Sequence, residues 1–150
     1  KHKDEPTMRL RLFDTRARAT VAHALDKEGF VLWDQKRDLG LYYVGFDPKA
    51  GEKGRGMFQR MFGGSTPDES PYQIDDLIKH FSPESNVKQK FPRLSGVEYG
   101  KALAEESSGL LIILADAGDA MDVVVRDDRG RKLPASEAKE LLRIIRKNLI

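Results

Sequence analysis

The sequence predicts an α+β sandwich, an antiparallel sheet packed against long helices. Three observations point there. Ala17 to Phe46 reads as a helix, a tight stop and a hairpin. Leu110 to Arg126 reads as a second hairpin, and the chain closes on a helix with a clear apolar stripe. Hairpins demand antiparallel pairing. The expected order is β-α-β-β-(insert)-β-β-α, one domain over residues 1–150 with an insert at about 48–108. A chain of 150 residues can bury a sizeable core without staples.

Each element has a local reason. Residues 1–7 are polar and are expected to fray. In MRLRLFD, Met8, Leu10 and Leu12 alternate with Arg9 and Arg11, which predicts a half-buried strand with a basic outer face. Asp14 or Thr15 can cap the helix that follows. Val21, Ala24 and Leu25 stand at i, i+3 and i+4 on its buried stripe, and Gly29 stops it. FVLWD and LYYVGF then form strands about the turn KRDLG. Tyr42 and Tyr43 point to opposite faces, so one ring can be exposed.

Between Pro48 and Ser108 the pattern weakens. GMFQRMFG carries Met57, Phe58, Met61 and Phe62 on one face of a two-turn helix. Gln73 to Phe81 reads as a helix striped by Ile74, Leu77, Ile78 and Phe81. SNVKQKFPRLSG reads as loop, and VEYGKALAEE as a third short helix weakened by Gly100. GLLIILA is apolar throughout, as in a central strand covered on both sides. DAGD turns the chain into MDVVVR, where Met121, Val123 and Val125 share a face. DDRG turns it again. Ser136 can then cap a helix to Leu149, striped by Ala138, Leu141, Leu142, Ile145 and Leu149. Arg143, Arg146 and Lys147 suit the negative end of its dipole.

No stretch of this chain predicts catalysis. There is no cysteine and no G-x-S-x-G. His2, His23 and His80 lack metal-ligand spacing. The pairs Asp75/Asp76, Glu105/Glu106 and Asp127/Asp128 read as solvated faces and turn formers. GEKGRG matches no phosphate-binding loop. The expectation is a protein without enzymatic activity, metal or cofactor. A net charge of +2, from 26 basic and 24 acidic residues, argues against a nucleic-acid partner. Two surfaces remain as candidates. Arg9, Arg11, Arg16 and Arg18 suit an acidic partner or anionic headgroups. Met57, Phe58, Met61 and Phe62 form either an apolar knob for a partner's groove or a patch tucked onto the domain's own core.

Ala17, Val21, Ala24, Leu25, Gly29, Phe30, Asp34, Arg37, Gly40, Tyr42, Tyr43 and Val44 together resemble the signature of the NlpB/BamC lipoproteins. VVVRDDRG, Leu133, Leu141 and Leu142 fit the same pattern, so the resemblance covers about residues 8–48 and 109–150. The family often carries tryptophan where Arg18 stands. The resemblance implies a helix-grip domain in which the sheet wraps the terminal helix. It implies a non-enzymatic scaffold of the Gram-negative outer-membrane β-barrel assembly machine, with that machine's other subunits as partners. Location would be at the outer membrane, on its periplasmic or external side. Membrane association would come only through a lipid anchor outside this chain. The alternative is a helix-grip carrier of a small hydrophobic or lipid ligand, although the bulky residues of LLIIL and of the last helix favour a filled core.

Overall fold

The computed structural model describes residues 5–11, 14–27, 29–46, 70–82, 85–101 and 109–147. Its strands are β1 (Met8–Leu10), β2 (Phe30–Lys36), β3 (Leu41–Phe46), β4 (Leu110–Ala117) and β5 (Ala120–Asp127). Its α-helices are α1 (Asp14–Lys27), α2 (Ile74–Leu77), α3 (Val87–Lys90) and α4 (Ala135–Lys147). The strands form one antiparallel sheet in the order β1-β5-β4-β3-β2. The hairpins β2–β3 and β4–β5 lie side by side, and β1 adds to the far edge. The fold is α+β in the expected order, an arrangement of helix-grip type.

The turns follow from glycine. Gly29 stops α1 at φ 87°, and Gly40 closes the β2–β3 connection at φ 70°. A side chain at Gly40 would collide with the Leu114 carbonyl, because β4 passes directly beside this turn. Two residues, Gly118 and Asp119, suffice to join β4 to β5.

Both faces of the sheet are covered. On one, Val21 and Leu25 of α1 and Leu141 and Ile145 of α4 pack onto Tyr42, Ile112 and Val123. On the other, Leu41, Tyr43, Leu111 and Ile113 lie under Ile74, Leu77, Phe81, Phe91 and Leu94. The described part of the insert is thus a third layer. Covering β4 from both sides explains why LLIIL has no polar alternation. It also corrects the expectation that one tyrosine is exposed: Tyr42 and Tyr43 do face opposite ways, but each faces a core. A register shift between Leu32 and Asp34 interrupts β2 at Trp33, whose ring meets Tyr43 edge-on at 5.0 Å.

Other expectations change in detail. SNVKQKFPRLSG is helical in two pieces, α3 and a 3-10 turn at Pro92–Leu94. Val87, Phe91 and Leu94, at i, i+4 and i+7, turn one face onto the sheet. The helix expected over Gln73 to Phe81 is α2 followed by a 3-10 turn, Ile78–His80. Helix α4 begins at Ala135, so Ser136 lies inside its first turn and the Pro134 carbonyl accepts the Ala138 N–H. Met57, Phe58, Met61 and Phe62, the Glu105/Glu106 pair and Leu149 lie outside the described residues.

Candidate functional site

The end of β5 and the turn that follows it carry most of the buried polarity among the described residues. Strand alternation sets Arg126 on the insert-facing side, where its side chain has no exposure. A guanidinium there must be paired. Glu5 supplies a two-point clasp, Nε to Oε2 at 2.6 Å and Nη2 to Oε1 at 2.7 Å. Nη1 donates to the carbonyls of Ser85 and Gly130, at 2.6 and 2.7 Å. Lys90 adds a bond to Glu5 Oε1 at 2.6 Å, and the Phe91 ring centre lies 5.3 Å from the guanidinium carbon. Burial alone would raise the Glu5 carboxyl. The bonds and charges of Arg126 and Lys90 outweigh it and hold the carboxyl below its ordinary value. Glu5 therefore corrects the expectation of a frayed start over residues 5–7.

Next to this clasp the two aspartates divide their work. Asp127 shapes the turn, accepting the N–H groups of Arg129 and Arg131, both at 2.9 Å. Asp128 is fully buried and accepts the Tyr43 hydroxyl at 3.0 Å, the Gly109 N–H at 3.2 Å and Arg129 Nη1 at 3.1 Å. Burial first, then the Asp128 charge, pushes the Tyr43 phenol far above its ordinary range. It stays protonated as a donor. Asp127 and Asp128 do form a turn, as expected, yet both are buried, so the solvated reading fails for them. Together these groups tie the start of the chain, the insert and the β5 turn into one unit.

Little else suggests reactive chemistry. Among the described residues, no group of three or more His, Asp or Glu is placed to hold a metal ion. His23 is exposed, and His80 Nδ1 lies 3.0 Å from the Lys101 carbonyl. No helix among the described residues is long and apolar enough to cross a membrane.

The basic face resolves into two places. An open groove of about 920 Å³ runs between β1 and α4. Its walls carry Arg9 from β1, Arg11 just after it, and Lys139, Leu142, Arg143 and Arg146 from the helix. Arg9 is held by Asp122 across the β1–β5 ladder, at 2.8 and 3.2 Å, and Arg143 by Glu140 at 3.0 Å. Arg16 and Arg18 sit on α1 and do not line the groove. Arg16 is exposed, whereas Arg18 donates to the Arg37 carbonyl at 2.9 Å. The structure thus joins Arg9 and Arg11 to three cations that sequence reasoning left aside or tied to the helix dipole. Their signal was present: Lys139, Leu142, Arg143 and Arg146 recur at i, i+3, i+4 and i+7, a second stripe beside the core stripe.

The fold and site define a small α+β domain of helix-grip type whose described surface offers a basic groove. A scan of protein-family models finds no match to this chain, and a search of curated proteins finds none either.

Proposed function

We propose that the chain is a non-enzymatic binding domain at the Gram-negative outer membrane, an accessory part of the β-barrel assembly machine like the NlpB/BamC lipoproteins it resembles. The observation that carries this reading is the placement of the signature residues. Ala17, Val21, Leu25, Phe30, Tyr42 and Val44 build the helix-side core, and Tyr43 anchors the other face. Gly29 and Gly40 take the left-handed conformations that end the helix and the turn. Asp34 accepts the Ile74 N–H at 2.8 Å, docking α2. The signature is therefore a recipe for a grip, in keeping with a protein that presents surfaces. Its buried charges are engaged in fixed pairs, which supports a scaffold. The carrier alternative needs space between sheet and helices, and Val21, Leu25, Leu141 and Ile145 fill that interface with 2% exposure or less.

The test is a crosslinking pulldown from outer membranes with the full-length, lipid-anchored protein as bait. Recovery of assembly-machine subunits is the expected result. Their absence, with the bait intact in the outer membrane, overturns the assignment to that machine.

A further inference from the structure

We infer that the groove between β1 and α4 receives an extended acidic segment of a partner protein, added as another strand against β1. This deepens the binding-domain reading, on which it rests, by naming the surface and the chemistry it takes. β1 is the edge of the sheet, paired with β5 on one side and with no strand on the other among the described residues. An edge strand offers a row of unpaired N–H and C=O groups, and an incoming peptide satisfies its own backbone by pairing with them. Helix α4 overhangs this edge: Leu141 and Ile145 pack on the sheet, while Lys139, Leu142, Arg143 and Arg146 turn toward β1. The added strand would lie between a backbone ladder and a basic stripe, with Leu142 at its apolar centre.

Charge selects the occupant. None of the ion pairs among the described residues uses Arg11, Lys139 or Arg146. Arg9 and Arg143 bind their partners in the open, at 58% and 71% side-chain exposure, so a ligand carboxylate can share them. A second copy of β1 would bring Arg9, and Arg11 just beyond it, against these cations, and like charge disfavours it. An anionic membrane satisfies the cations but leaves the backbone edge unpaired. Only an acidic polypeptide meets both requirements.

The test uses the whole chain and a fluorescent peptide about eight residues long that alternates glutamate with valine. Fluorescence anisotropy should report saturable binding that weakens as salt rises. Arg11→Glu with Arg146→Glu should weaken it by about tenfold or more. Both residues are exposed, so the melting curve should stay unchanged. N-methylation of alternate peptide amides should abolish binding, because it removes the ladder donors and keeps the charge. Undiminished binding of the methylated peptide overturns strand addition. Absence of peptide binding overturns the proposal, as does binding only to phosphatidylglycerol vesicles. If the pulldown recovers no assembly subunit while the peptide results hold, the machine assignment fails and the groove stands. The reverse pattern removes the groove alone.

Discussion

Arg126 shows what a buried charge demands of its surroundings. Glu5, Lys90, two carbonyls and a ring surround it, and they come from three separate parts of the chain. Such a clasp adds less to stability than its short bonds suggest, since both ions gave up water. Breaking it is another matter. Glu5→Gln leaves the guanidinium without its counter-charge, so we expect a loss of about 3 kcal/mol at neutral pH by urea unfolding. The pH dependence has a definite sign. Glu5 is held below its unfolded value, so its contribution is complete above roughly pH 4.3 and fades as pH falls through the folded value. The gap between wild type and variant should therefore be widest near neutrality and close in acid. A gap that widened in acid would contradict the clasp. Tyr43→Phe removes one of the donors to Asp128 and should cost about 1–3 kcal/mol. None of this was legible in the sequence. Glu5 and Arg126 stand 121 positions apart, and a polar start with a turn-like end gives no sign that they meet. Tyr42 and Tyr43 were correctly set on opposite faces. Tyr42 is buried under the two long helices, whereas the burial of Tyr43 depends on a third layer that local pattern does not reveal.

At the scale of elements, local chemistry and tertiary packing agree wherever the sequence was easy to read. Gly29, the KRDLG turn and the alternation of β5 each act within a few residues, so their signals survive without context. The α3 region, read as loop, is α-helical only over Val87–Lys90, too short a run to show a helical period. Pro92 then opens a 3-10 turn, where its missing N–H costs nothing. Helix α4 allows a graded check. Leu141 is 1% exposed and sits wholly in the core, whereas Leu142 is 7% exposed and borders the groove. We expect Leu141→Ala to cost about 3–5 kcal/mol and Leu142→Ala about 2–3 kcal/mol. Equal costs would mean that the helix is rotated relative to this packing. Gly40→Ala should cost about 2 kcal/mol or more, from its left-handed backbone and its approach to β4.

Across the whole molecule, the described insert is a structural layer. Phe81 has no exposure and packs beside Gly130, in the loop that also supplies a carbonyl to Arg126. The Ser82 N–H donates to the Arg129 carbonyl at 3.0 Å, so insert and β5 turn hold each other. If the layers form one cooperative unit, damage to the insert must be felt in the sheet. Phe81→Ala should cost about 3–5 kcal/mol, a large share of the roughly 5–15 kcal/mol that holds a typical domain. For a chain of this length that lowers the melting temperature by about 10 °C. Native-state hydrogen exchange then separates the possibilities. In a cooperative unit, amides of β4, including Leu111 and Ile113, lose protection in step with those of α3, because the same global opening exposes both. If the insert is instead an independent satellite, exchange quickens only over residues 70–101 and β4 keeps its wild-type protection. The clasp linking Glu5, Arg126, Ser85 and Lys90 crosses that boundary, and for this reason we expect the first outcome.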